Sequence, residues 1–122
     1  NPGIALHSQC GAATVSLKTF DIAGMRLAAY DAGSGPPLVL IHGQFGDHQD
    51  WWPVLDPLSR EFRVFAVDLP GYGASAKPRR RYTPEFFVET LHALFQSAGI
   101  ANAILAGNSW GGSLAMSYAL CH

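Results

Sequence analysis

Hydrophobic positions change their rhythm along the 122-residue chain. From Thr14 to Phe20 they alternate, with Val15 and Leu17 on one side and Ser16 and Lys18 on the other, the pattern of a half-buried strand. Asp21 to Gly24 supplies turn residues and Met25 to Tyr30 returns as a second strand, so an antiparallel hairpin is predicted. Beyond the Gly- and Pro-rich loop from Asp31 to Pro37, the alternation stops. Leu38-Val39-Leu40-Ile41, Phe62 to Val67 and Ala103 to Ala106 are nearly continuous apolar runs, which suit parallel strands covered on both faces. Helical segments are predicted between and after them, at roughly Asp50 to Arg60, at Pro84 to Ala98 and after Ser109. The Pro84 helix is the best bounded. Thr83 can cap it, Pro84 suits its first position, Phe87, Leu91, Leu94, Phe95 and Ala98 share one face, and Gly99 stops it.

Asn1 to Ala13 shows no period and contains Pro2, Gly3 and Gly11, so residues 1–13 read as a flexible lead-in to one domain spanning 14–122. A hairpin followed by three strand–helix units predicts an α/β fold, a mostly parallel sheet with helices on both faces. Sheets of this kind bind ligands beyond the carboxyl ends of their parallel strands. At those ends this chain carries His42-Gly43, Asp68-Leu69-Pro70-Gly71 and Ser109.

Composition narrows the field. With 48% hydrophobic and 14% charged residues the chain can form a core, and a formal charge of −1 gives no field to attract nucleic acid or an anionic membrane. The basic cluster from Lys77 to Arg81 contains Pro78 and reads as a solvated loop. Cys10 and Cys121 have no metal-ligand spacing, and a buried free thiol is expected at Cys121 on the apolar segment after Ser109. This leaves the compartment open, with the reducing cytoplasm fitting slightly better than an oxidising one. No apolar run has bilayer length, the first residues lack a secretory layout, and the start at Asn1 reads as a trimmed product.

The chemistry centres on Gly107-Asn108-Ser109-Trp110-Gly111, a G-x-S-x-G pentapeptide between an apolar strand and a helix. A serine on such a turn is strained and projects its hydroxyl beyond the sheet. A bare serine hydroxyl is a poor nucleophile, so it needs a base and amide donors for the oxyanion its attack creates. The Trp110 amide stands at a helix start, and His42-Gly43-Gln44-Phe45-Gly46 can bring a second amide close through its glycines.

Taken in order, His42-Gly43, Asp68-Leu69-Pro70-Gly71-Tyr72-Gly73-Ala74-Ser75 and Gly107-Asn108-Ser109-Trp110-Gly111-Gly112 resemble the α/β-hydrolase superfamily. The resemblance implies Ser109 as nucleophile and the amides of Gln44 and Trp110 as the oxyanion hole, with Phe45 as the fallback for Gln44. It implies a small-molecule ester or acyl substrate and neither cofactor nor metal. Serine at the elbow argues against haloalkane dehalogenases and epoxide hydrolases, which use a carboxylate there. Asn108 and Gly111-Gly112 look like the elbow of carbon–carbon bond hydrolases, and such elbows also occur in carboxylesterases and lactonases. A cofactor-free haloperoxidase-like activity would share the same serine. His42 is read as a brace of the oxyanion loop and Asp68 as a loop organiser. Phe45 and His48 are candidates for lining a pocket, as are Trp51 and Trp52, whose place at a helix start equally suits the core. His92 lies within a regular helix.

The family carries its triad acid and histidine after the elbow helix. His122 lies roughly 20 Å along that helix from Ser109 at ~1.5 Å per residue, too far to be the base. The expectation is therefore a fold truncated after the elbow helix, its serine lacking both partners and alone inactive. The strand ending at Gly107 would then be a bare apolar edge, which pairs with a copy of the chain or a complementary chain. The alternative to an acyl hydrolase is a non-enzymatic module that works by such association.

Overall fold

The structure is a computed structural model that describes residues 5–7 and 14–122. Its hairpin is longer than the alternation suggested. Strand β2 (Thr14–Ile22) pairs antiparallel with β3 (Met25–Ala32) in a register that sets Ile22 opposite Met25. Ala23 and Gly24, at φ 50° and 80°, make a two-residue turn whose twist follows that of the strands. Ahead of it, β1 (Ala5–His7) adds an antiparallel strand. At residues 5–7 this departs from the reading of residues 1–13 as a flexible lead-in: three residues are too few to display a period, but they suffice to join a ladder. The rest of the lead-in, Cys10 included, lies outside the described residues.

Strands β4 (Pro37–Ile41), β5 (Arg63–Val67) and β6 (Ile104–Gly107) complete a six-stranded sheet of order β1-β2-β3-β5-β4-β6. The β5–β4 and β4–β6 pairings are parallel and the β3–β5 pairing antiparallel. Burial explains the sequence rhythm. Leu38 to Ile41 and Val64 to Val67 are buried on both faces. β6 reads the same in sequence yet lies at the sheet margin, so Ile104 is 53% exposed.

Helices cover both faces. On one side Leu55 of α1 (Trp52–Ser59) packs with Leu38, Leu40, Val64 and Ala66, flanked by Trp51 and Trp52. On the other, Phe87, Leu91, Leu94 and Phe95 of α2 (Pro84–Ala98) and Leu114 of α3 (Trp110–Cys121) pack on Val39, Ile41, Phe65 and Val67. The helix expected at 50–60 is preceded by a 3₁₀ turn, His48–Trp51, because Asp47 accepts from the Gln49 amide and starts the coil early. α2 has the expected ends: Thr83 Oγ1 accepts from the Phe86 amide at 3.1 Å, and Gly99 closes it at φ 73°. α3 is apolar all round, and its outer side is uncovered, leaving Met116 70% and Leu120 87% exposed. Cys121, in the last turn of α3, is exposed, against the expectation of a buried thiol.

Candidate active site

The turn at Ser109 joins β6 to α3. The Asn108 amide donates to the Ile41 carbonyl at 3.1 Å, carrying the parallel ladder one residue past the strand. The backbone then reverses: Ser109 has φ 56° and ψ −115°, and the Gly111 and Gly112 amides bond back to the carbonyls of Asn108 and Ser109. A side chain with positive φ stores about 1–3 kcal/mol of strain. The reversal needs close backbone approach, since a β-carbon on Gly111 would collide with the carbonyls of Ile41 and His42, and one on Gly107 with Gly111 itself. Ser109 is exposed, and among the described residues nothing hydrogen-bonds its hydroxyl.

Beside it lies the loop after β4. A β-carbon on Gly43 would sit 3.6 Å from that of Ser109 and 3.0 Å from the Asn108 carbonyl, so loop and elbow are in van der Waals contact. Among the described residues neither the Gln44 nor the Trp110 amide has an acceptor. Trp110 opens α3, where unpaired amides and the helix dipole favour negative charge. Its ring meets Phe87 of α2 edge-on, centroids 4.8 Å apart, which steadies the first turn.

Two buried side chains hold this loop. His42 Nε2 accepts from the Leu69 amide at 3.1 Å, which places the ring proton on Nδ1, 2.8 Å from the Gly43 carbonyl it donates to. With both nitrogens occupied the ring ties the β4 loop to the β5 loop, the bracing role read from sequence. Asp68 accepts from the His48 amide (2.8 Å), the Ala74 amide (2.9 Å) and the His48 ring Nδ1 (3.0 Å). Burial alone would push its pKa up, but the hydrogen bonds from the His48 ring and the Ala74 and His48 amides hold it below the ordinary carboxylate value. It organises the loop, as expected.

Of the two pocket candidates, Phe45 is 90% exposed with φ 65°, whereas His48 is buried, its ring stacked on Tyr30 at 3.7 Å and edge-on to Trp52. Tyr30 went unnoticed in sequence because it reads as one more core position of an alternating strand. Its hydroxyl pKa is raised, first by burial and then by the charges of Asp68 and Asp47. Ser75 was likewise missed: its hydroxyl donates to the Asp68 carbonyl at 2.6 Å and accepts from the Ala28 amide. His122 stacks on His92, the rings 3.8 Å apart, and meets Glu89, a cluster between α2 and the last turn of α3. Among the described residues no three His, Cys, Asp or Glu side chains gather as metal ligands, and no helix is long and apolar enough to cross a membrane.

A family model described as alpha/beta hydrolase fold matches residues 36–122. The chain is 41% identical over 101 residues to the dihydrolipoyllysine-residue acetyltransferase component of the acetoin cleaving system of Pseudomonas putida, covering 81% of this chain and 27% of that one. It is 35% identical over 104 residues to 2-hydroxymuconate semialdehyde hydrolase of Pseudomonas sp. (strain CF600), covering 82% and 37%. The solved structure of the epoxide hydrolase CorEH superposes with a TM-score of 0.82 at 33% identity, covering 86% of this chain and 37% of that one. The chain thus spans about a third of the length of the curated relatives it matches.

Two outcomes follow from this geometry. Gly111→Ala forces α3 away from β4 and is expected to lower the unfolding free energy by about 3 kcal/mol in urea denaturation. The depressed pKa of Asp68 means its stabilisation is complete above the unfolded value of about 4 and is lost as pH falls through the folded value. The unfolding midpoint should therefore drop more steeply between about pH 5 and pH 2 in the parent than in Asp68→Asn, which starts lower at pH 7 by about 2 kcal/mol.

Proposed function

The chain belongs to the α/β-hydrolase fold family, and from that premise we propose that Ser109 is the nucleophile of a hydrolase of esters or related acyl compounds. The observation that carries the reading is Ser109 itself. An exposed, non-glycine residue is held at φ 56° at the end of a parallel strand, beside two amides that have no acceptor among the described residues. Strain of that kind persists where it serves chemistry.

In this reading the Ser109 oxygen attacks the substrate carbonyl, and the amides of Trp110 and Gln44 receive the charge that develops on the carbonyl oxygen. Collapse of the tetrahedral intermediate releases the leaving group and forms an acyl-serine, which water hydrolyses. No described histidine bonds the Ser109 hydroxyl, so the activity is proposed for the whole protein, with the base and its carboxylate in a part that matches the greater length of the relatives. Carboxylester and lactone hydrolysis share these steps, whereas carbon–carbon bond hydrolysis shares the attack at the carbonyl and needs in addition a proton delivered to the departing carbon. The 2-hydroxymuconate semialdehyde hydrolase relative favours keeping the last among them. A serine at the elbow supports this branch over one with a carboxylate nucleophile. The reaction as proposed needs no cofactor.

A second reading rests on a different observation. Among the described residues β6 pairs only with β4, and the groove between β6 and α3, lined by Ile104, Leu105, Met116 and Ala119 among others, contains no Asp, Glu, Lys or Arg. Such an uncharged edge suits strand addition by a complementary chain or a second copy.

A fluorophosphonate probe should label Ser109 in the whole protein and fail to label Ser109→Ala; a folded whole protein that stays unlabelled sinks the nucleophile assignment. Ser109→Gly, which relieves the backbone, should raise the unfolding free energy by about 1 kcal/mol while losing the label. For the association reading, light scattering should show a mass above that of one chain which falls to the single-chain value in Ile104→Lys; a concentration-independent single-chain mass in the parent removes it.

A further inference from the structure

Phe45 is anomalous in three separate respects. It is a large aromatic residue with 90% of its surface in water, whereas Phe20, Phe65, Phe86, Phe87 and Phe95 are all buried or packed on the core. Its φ of 65° lies in the left-handed region, where a β-carbon crowds the carbonyl and a bulky residue is an outlier. The Gly46 amide donates to the Gly43 carbonyl at 3.1 Å, closing a turn in which Phe45 is the third residue, the position that ordinarily calls for glycine. Neither local propensity nor burial among the described residues accounts for a phenylalanine there.

The turn is also anchored at both ends. Its entry is held by His42, bonded to Leu69, and its exit by the His48 amide, bonded to Asp68. The ring is thus presented at a set place rather than left to collapse onto the surface. That place adjoins Gln44, whose amide is a candidate oxyanion donor, in a loop whose backbone touches the elbow at Ser109. Apolar surface kept out of the core beside polar groups aimed at one point is how binding sites for largely apolar ligands are built.

Resting on the hydrolase reading above, we infer that Phe45 contacts the substrate and sets its class. Its ring is the wall against which an aliphatic or aromatic group of the acyl compound packs, within a few carbons of the reacting carbonyl. Substrates with such a group gain contact at Phe45, and an acetyl compound does not reach it. Glycine would hold the same turn with less strain, so the position trades stability for recognition.

The test compares the protein with Phe45→Ala and Phe45→Gly on p-nitrophenyl acetate and p-nitrophenyl octanoate. Loss of one aromatic contact should lower the ratio of kcat/KM for the octanoate to that for the acetate by about tenfold or more, and raise the unfolding midpoint in Phe45→Gly. Equal losses on both esters, or no loss on either, overturn the inference. So does a fall in the midpoint of Phe45→Gly, which would mark the ring as a packing residue. Should the whole protein hydrolyse neither ester and leave Ser109 unlabelled by the fluorophosphonate, the hydrolase reading fails on its own. Phe45 is then judged by calorimetric binding of octanoate, where equal affinity in the parent and Phe45→Ala overturns its role.

Discussion

A backbone can turn back on itself against the end of a neighbouring strand only where no β-carbon stands between the two. At the elbow that condition is met by Gly107 and Gly111, whose bare α-carbons let the first turn of α3 rest on the carbonyls of Ile41 and His42. Much else depends on this contact. It brings the end of β6 against the loop after β4, it forces Ser109 into a conformation that nearly every residue avoids, and it leaves the Trp110 amide without an acceptor among the described residues. The serine is conspicuous because the packing around it is tight, and the tightness originates in residues with no side chain at all.

The loop facing the elbow is governed by the opposite means, a buried charge. Asp68 gathers two backbone amides and one imidazole, and through them it joins the ends of β4 and β5 into one rigid edge. A carboxylate taken out of water is tolerable only when its oxygens are occupied in this way. The stack of His48 on Tyr30 extends the arrangement down into the hairpin, so the antiparallel half of the sheet takes part in supporting the candidate site in the parallel half.

Sequence made the frame and the strained turn of the candidate site legible, for different reasons. The switch from alternating to continuous apolar runs separated β2 and β3 from β4 and β5, because burial on one face or two leaves its own rhythm. The pentapeptide marked the strained turn at Ser109 because close packing demands glycine at fixed offsets, and fixed offsets are visible in a sequence. β1 was missed because three residues carry no period, and the exposure of Cys121 because burial of a helix depends on what lies beyond it. The links among Tyr30, His48, Asp68 and Ser75 were invisible, since no spacing ties residues that meet only through sheet order. The left-handed backbone at Phe45 was equally hidden, because its residue type argues against it.

Strand order carries a kinetic meaning as well. β4 lies between β5 and β6, so the chain must leave β5, pass beyond β4 and return on its far side before the elbow can exist. The groups that close around Ser109, from Ile41 to Gly43, precede it by more than half the chain. Contacts of such long sequence separation form late, after the entropy of a large loop has been overcome. The strained serine is therefore a property of the finished sheet, and a partly folded chain presents at residue 109 only an ordinary hydroxyl.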